Sequence, residues 1–325
     1  MGSIDASGTN SSGSNTIAVR ACSPFTGGKR LREMLSDPSK VVVCPGVFDG
    51  FTARLALAAG YDALYMTGAG TSMSRLGWAD LGIATLNDMR ANAEMIASLN
   101  PSVPLIADAD TGYGGPIMVT RTVTQYARAG VAALHIEDQV QEKRCGHLLG
   151  KQIVDREIFF SRLRAAVAAR NSLDSDMLII ARTDARQTYG LAEAVARLQE
   201  AVKIGVDVVF PEALQTREEM EEVCRIMGAT TTPVLLNVVP GGVTPEYTVE
   251  EARQMGFRII IYPGLCIGPV VESVARELKV LQTTGKSSPA GRGGGVKEAF
   301  NLCGLQECID IDREAGGKAY DAVGK

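Results

Sequence analysis

Pro104-Leu-Ile-Ala-Asp108-Ala-Asp110-Thr-Gly-Tyr-Gly-Gly115 is a short apolar run that ends in two acids and a glycine-rich turn. An apolar run this short, closed by turn residues, reads as a fully buried strand rather than a helix. Working outward, the same unit recurs along the chain. Strand-like runs are Val41–Cys44, Ala63–Met66, Pro104–Ala107, Ala132–Ile136, Met177–Ala181, Asp207–Phe210, Pro233–Leu236 and Arg258–Tyr262. Helical periodicity fills the intervals, with a capping-box signal at Thr85–Asp88 and apolar stripes over Asp155–Arg170, Tyr189–Ile204, Thr216–Met227 and Thr248–Met255. Glycines at Gly60, Gly130 and Gly205 stand just past helices and just before strands. Eight βα units over roughly 250 residues predict an α/β fold of the (β/α)8 TIM-type barrel class. A doubly wound sheet would need a third glycine where Gly68-Ala-Gly-Thr-Ser-Met73 has Met73. A P-loop ending at Lys286-Ser287 would need glycine where Val280 stands.

Around this core the expected organisation is a disordered Ser/Gly-rich tail over 1–27 and a barrel over 28–284. A Gly-rich linker over 285–295 and a C-terminal helical segment over 296–325 follow. The segment's apolar residues, Phe300, Leu302, Leu305 and Ile309, form no core alone and must dock on something, its own barrel being the plain reading.

The chain has 325 residues, 46% hydrophobic and 22% charged, and carries 33 basic against 37 acidic residues for a net charge of −4. That balance speaks against nucleic acid as a partner. No apolar run approaches the ~18 residues of a membrane helix. The first nineteen residues carry no Lys or Arg, so neither a secretory nor a transit signal is read there. A cytoplasmic location is expected, with a mitochondrial one as the alternative. Seven scattered cysteines imply free thiols, and two histidines, His135 and His147, exclude most multi-histidine metal sites.

In a barrel the chemistry lies where the strands end. Here the ends carry Tyr65-Met-Thr-Gly-Ala-Gly70, Asp108-Ala-Asp110, His135-Ile-Glu137-Asp138-Gln139, Arg182-Thr-Asp184, Glu212, Asn237 and Pro263. Asp108, Asp110 and Glu137 form an oxygen-rich set suited to Mg2+ or Mn2+; a salt-bridge network with Arg182 is the competing reading. Lys143-Arg-Cys-Gly-His147 follows the fourth strand as a loop over the mouth. Its positive residues predict a lowered thiol pKa at Cys145, and Gly146 permits close backbone approach. The plain alternative is a basic surface loop with an incidental cysteine.

These motifs closely resemble the isocitrate lyase/phosphoenolpyruvate mutase superfamily, over most of the chain from about Gly46. Lys143-Arg-Cys-Gly-His147 matches its lyase signature, and the Asp108-Ala-Asp110 and His135–Gln139 stretches match its metal site. Within the superfamily the chain looks most like the fungal 2,3-dimethylmalate lyase and 2-methylisocitrate lyase branch. Mutases lack the loop cysteine, and oxaloacetate hydrolases carry Ser where Pro263 stands.

The resemblance implies a Mg2+-dependent retro-aldol cleavage of a 2-hydroxy dicarboxylate into a 2-oxoacid and a carboxylate. It implies Asp110 as the direct metal ligand, Asp108 and Glu137 acting largely through water, and Asp80 as a further acid. It places the N–H groups of Thr67, Gly68 and Ala69 around the oxoacid carboxylate. Arg182 would clasp a carboxylate, and Asn237, Gly146 and His147 would complete the distal pocket, with Pro263 at the rim. Cys145 would be the general acid, flanked by Lys143 and His147, with Glu212 orienting Arg182. Tyr65 is the candidate base, its phenol acidified by the metal; a barrel-layer side chain is the alternative. A homo-oligomer, a dimer of dimers with exchanged C-terminal helices, is also implied. The alternatives are an oxaloacetate hydrolase, a biosynthetic tailoring lyase, and a non-catalytic barrel that binds a partner.

Overall fold

The structure, a computed structural model, describes residues 26–288, 295–320 and 322–323. Most of the expected tail and the centre of the expected linker lie outside the described residues. A helix over Thr26–Ser36 takes in the last two residues of the segment expected to be a tail.

Eight parallel strands follow in order: β1 (Val42–Val47), β2 (Leu64–Met66), β3 (Leu105–Asp108), β4 (Ala133–Glu137), β5 (Leu178–Thr183), β6 (Val208–Pro211), β7 (Leu235–Asn237) and β8 (Ile259–Tyr262). They pair in the order β6-β5-β4-β3-β2-β1-β8-β7. A parallel bridge between Val209 and Val234 joins the two ends of that row, giving a nearly closed barrel. Helices alternate with the strands, as the sequence pattern requires. The helix Leu86–Leu99 starts with the expected capping box, Thr85 and Asp88 each bonding the other's backbone.

Strand alternation sorts the core into two shells. Val42, Cys44, Tyr65, Ile106, Leu178, Ile180, Val208, Phe210, Leu235, Ile259 and Ile261 fill the barrel interior. Residues of the opposite parity, such as Leu105, Ile136, Ile179 and Ile260, pack outward against the helices. The interior parity continues past the last apolar layer into polar residues. Ile106 leads to Asp108, His135 to Glu137, Ile180 to Arg182, Phe210 to Glu212 and Leu235 to Asn237. The polar mouth is thus the top layer of the same inward face.

Two features lie outside the sequence expectation. A long helix, Ile267–Thr284, ends at Gly285 in the left-handed region and buries none of its residues within one chain. Beyond it two helices, Gly295–Leu302 and Leu305–Glu314, replace the single helical segment expected. Within this chain they meet the helix Gly50–Ala58, where Arg54 Nη1 lies 3.8 Å from Glu307 Oε2, and Ile309 is buried. No helix of the described residues is long and apolar enough to cross a membrane.

Candidate active site

The β3 end sets the first half of the site. Asp110 sits in the left-handed region at φ 47°, which an Asp tolerates better than most residues. Its own N–H donates to Asp108 Oδ1 at 2.8 Å, and its carbonyl accepts from Glu137 N–H at 2.9 Å. This turn brings Asp108, Asp110 and Glu137 together as buried carboxylates. Asp80 reaches them from the loop after β2. A five-residue π-helix, Ser72–Leu76, precedes it. There the buried Ser72 hydroxyl holds the turn by donating to Trp78 O and Ala79 O, at 3.0 and 3.3 Å.

The loop after β4 closes over this cluster. Val140 N–H donates to Gln152 O at 2.9 Å and clasps the base of the flap. Gln139 ties the flap to the site, donating to Glu137 Oε1 and to Arg144 O, both at 2.9 Å. Lys143 Nζ reaches Asp110 Oδ1 at 2.5 Å and Asp80 Oδ1 at 2.7 Å. Cys145 N–H donates to Asp80 O at 3.2 Å. A Cβ added at Gly146 would fall 2.5 Å from Arg182 Nη2 and 2.8 Å from Glu212, so only glycine permits this seating. His147 Nε2 lies 3.3 Å from Asn237 Nδ2 and 3.7 Å from Glu212 Oε1. The acids and the flap therefore share one mouth.

The second half is cationic and acidic in alternation. Arg182 Nε donates to Asp184 Oδ2 at 2.9 Å and lies 3.3 Å from Glu137 Oε2, while its Nη2 lies 3.3 Å from Glu212 Oε2. Its guanidinium stands over the Phe210 ring at 5.1 Å. Asn237 Nδ2 donates to Glu212 Oε2 at 3.1 Å. Glu212 thus positions both Arg182 and Asn237.

The structure bears on three expectations. The thiol of Cys145 is not acidified: burial pushes its pKa up, because Lys143 is turned into the carboxylates and His147 is held largely neutral by burial. A thiol that keeps its proton suits an acid better than a nucleophile. Tyr65 is a buried barrel-layer side chain whose pKa is raised well above 10, first by burial and then by Asp108. Its hydroxyl pairs with His135 Nε2 at 2.9 Å, and burial pushes that imidazole down to about 4, so it is neutral. Without a cation at the acids the phenol therefore keeps its proton. Finally, the Thr67 N–H is already given to Val47 O at 3.1 Å, so the expected cradle is reduced to Gly68 and Ala69. Gly68 lies directly beside Asp108, whose Oδ2 a Cβ there would meet at 2.3 Å. Pro263 packs against Gly46 at the end of β8, across the barrel from β4 and β5.

Three residues gain roles that the sequence did not reveal. Asp138 accepts from Thr183 Oγ1, Asp184 N–H and Arg197 Nη1, bracing β4 against β5 from behind the site. Lys151 and Asp184 form a wholly buried ion pair beside the flap. Both carboxylates were visible at strand ends, but only their partners, distant in sequence, define what they do.

The donor chemistry fits a hard divalent cation. Among the described residues, buried Asp108, Asp110, Glu137, Asp184 and Glu212, with half-buried Asp80, face Lys143, Lys151, Arg182 and, behind Glu137, Arg162, so negative charge is in excess. Burial pushes Asp110 up to about 7 and Glu137 well above its ordinary value, the mark of uncompensated carboxylates. Glu137 Oε2 is buried with no hydrogen-bond partner. Among the described residues no three such side chains already converge on one point as a ready-made cage. A small cation that keeps waters and shares substrate oxygens needs no such cage.

A barrel with this acid-lined mouth and cysteine flap defines a class of enzyme, and similarity to known proteins agrees with it. Residues 31–281 match the phosphoenolpyruvate phosphomutase family, and the chain belongs to that family within the isocitrate lyase/PEP mutase superfamily. It is similar to 2-methylisocitrate lyase of Aeropyrum pernix, with 44% identity over 92% of this chain and 94% of that one. The solved structure of a 2,3-dimethylmalate lyase, trigonal form, shares 52% identity at a TM-score of 0.88, covering 92% of this chain and 98% of that one. An oxaloacetate acetylhydrolase in complex with 3,3-difluorooxalacetate shares 48% identity at a TM-score of 0.88, over 92% of this chain and 100% of that one.

Proposed function

We propose that the protein is a Mg2+-dependent carbon–carbon lyase. It cleaves a 2-hydroxy dicarboxylate of the 2,3-dimethylmalate or 2-methylisocitrate type into pyruvate, or a related 2-oxoacid, and a carboxylate. The observation that carries the reading is the seating of Cys145 beside Asp80, with Lys143 inserted between Asp80 and Asp110. That seating puts an acid-bearing flap directly over an acidic barrel mouth.

In this reading Arg182 receives one substrate carboxylate with its fork of donors. The Gly68 and Ala69 N–H groups face the other. Asp110, with Asp108, Glu137 and Asp80, would hold Mg2+ or Mn2+, which when bound supplies Lewis acidity toward the 2-oxygen and its neighbouring carboxylate. Cleavage breaks the bond between C2 and C3. The electron pair leaves with the departing fragment as an enediolate, and the 2-hydroxyl becomes the new carbonyl as its proton passes to the oxygen of Tyr65, the candidate base, which a bound cation would hold as the phenolate. Cys145 gives its S–H proton to the carbon that takes the electron pair. Glu212 orients Arg182 and Asn237, and His147 closes the distal wall. The closed flap excludes water, which would otherwise compete to protonate the enediolate.

A second reading, oxaloacetate hydrolysis, is favoured by the similarity to oxaloacetate acetylhydrolase. Pro263 offers no hydroxyl where such hydrolases carry Ser, which supports the lyase. The deciding experiment is a coupled pyruvate assay with Mg2+ across 2,3-dimethylmalate, 2-methylisocitrate, isocitrate, citramalate and oxaloacetate. Pyruvate from one of the first two supports the lyase. Oxalate released from oxaloacetate, with no pyruvate from the other acids, replaces it with the hydrolase. Inactivity on all five points to a tailoring lyase with another substrate.

The assembly belongs to the same proposal. Val271, Leu278 and Leu281 stay exposed on the long helix, as do Val296 and Phe300 beyond it. A second copy that exchanges these helices would cover them, giving a homo-oligomer built as a dimer of dimers. Light scattering that returns a monomer at micromolar concentration would end this part of the reading.

A further inference from the structure

Lys151 lies on the flap but takes no part in the chemistry described above. Its ammonium is buried and donates to Gly146 O at 2.7 Å and to Asp184 Oδ1 at 2.6 Å. Asp184, also buried, grips Arg182 through two bonds, to Nε at 2.9 Å and Nη2 at 3.2 Å. The Asp184 N–H donates to Asp138 Oδ1 at 2.8 Å, so its backbone is fixed. Gly146 itself abuts Arg182 Nη2. Arg182, Asp184, Lys151 and Gly146 therefore form a closed ring that joins the substrate-facing guanidinium to the flap.

The geometry of the flap makes the ring a latch. The antiparallel bridge Gln139–Ile153 holds its base. Gly150, at φ +75°, turns the chain so that Lys151 points inward beneath the segment it belongs to. An ammonium buried this deeply is costly unless it is fully paired, so its two bonds form together or not at all. Asp184 divides its carboxylate between the guanidinium and the ammonium. A carboxylate arriving at Arg182 competes for the guanidinium, leaves Asp184 more fully to Lys151, and so strengthens the bond that ties the flap to the end of β5.

We infer that Lys151 is a positioning residue that latches the Cys145 flap shut in response to a carboxylate bound at Arg182. The inference rests on the proposed role of Arg182 as the carboxylate clasp. It requires differential stabilisation of the closed flap by ligand, which the ring supplies without any contact between Lys151 and substrate.

The test is the alkylation rate of Cys145 by iodoacetamide in the full-length protein, read by peptide mass spectrometry and normalised to the exposed Cys303. Rates are taken with Mg2+, with and without 3,3-difluorooxaloacetate. In the unmodified protein the ligand should slow modification at Cys145 by about tenfold or more. In Lys151→Met the ligand-free rate should rise by about tenfold, the scale of one lost charged hydrogen bond, and ligand protection should fall below about twofold. Lys151→Arg, which keeps the cation, should restore part of the protection. Mn2+ affinity, read by paramagnetic resonance, should stay unchanged in both variants.

Protection retained in full by a folded Lys151→Met overturns the latch. If that variant does not fold, Lys151→Arg decides: protection and ligand-free rate both identical to the unmodified protein overturn it. Failure of the pyruvate assay with an intact protection pattern would sink the proposed activity and leave the latch standing. Loss of protection in Lys151→Met beside normal cleavage specificity would separate the two in the other direction.

Discussion

Lys143 Nζ stands 2.5 Å from Asp110 Oδ1, so the flap's own cation is buried inside the acidic cluster at the barrel mouth. A positive charge at that place partly neutralises the carboxylates and also competes with any divalent cation for them. Flap position and cation binding are thereby linked through one side chain.

Lys143→Met should therefore bind Mn2+ more tightly, by about tenfold, while losing most of its turnover, since the flap loses its anchor on Asp80 and Asp110. Its melting temperature without metal should fall and recover on adding Mg2+. A Mn2+ titration showing weaker binding in the variant would contradict the competition.

Cys145→Ser should leave fold and Mn2+ affinity intact and lower turnover by roughly 10²–10⁴-fold, the scale of one lost general acid. The serine hydroxyl keeps its proton too firmly to deliver it. Near-normal cleavage rates in the coupled assay would remove the acid role from Cys145.

EDTA should abolish activity, and Mg2+ or Mn2+ should restore it, because the excess of buried carboxylates needs a hard cation to organise substrate oxygens. Activity indifferent to chelation after exhaustive dialysis would refute the metal reading.

Gly146→Ala adds a methyl group where Arg182 Nη2 lies 2.5 Å away. The flap must lift, and turnover should fall by about 10²-fold with little change in melting temperature, since misplacement by an ångström has that effect. Unaltered kinetics would mean that the flap is not seated on Arg182 during catalysis.

Glu193 bonds Arg156 and Arg197 and is held down from its ordinary 4.5 to about 2, first by the Arg156 hydrogen bond. A carboxylate lowered in the folded state stabilises above its unfolded value and loses that contribution as pH falls through the folded one. Melting temperature should accordingly drop between about pH 4.5 and pH 2, and Glu193→Gln should flatten part of that slope. Calorimetry across this range provides the check.

Much of this was readable beforehand. Seven of the eight strands lie within a residue or two of their expected places, because short apolar runs bounded by glycine have few other uses; β1 runs three residues further, to Val47. Asp108, Glu137, Arg182, Glu212 and Asn237 were legible as mouth residues, since they extend the inward parity of their strands. The π-helix before Asp80 has no 3.6-residue period to betray it. The helix Ile267–Thr284 buries nothing within one chain, so nothing in that chain explains its apolar face. The thiol at Cys145 was misjudged because neighbours in sequence do not set a pKa when burial and distant charges dominate.

The barrel, the acids at its mouth and the cysteine loop above them follow from the order of residues alone, because alternation and turn chemistry act over a few residues. Tertiary structure alone decided that Lys143 faces the carboxylates instead of the thiol, that the Thr67 amide is already bonded, and that Lys151 reaches Asp184 beneath the flap. Those outcomes depend on which distant groups share a water-poor interior, where a charge must find a partner and local order in the chain cannot name it.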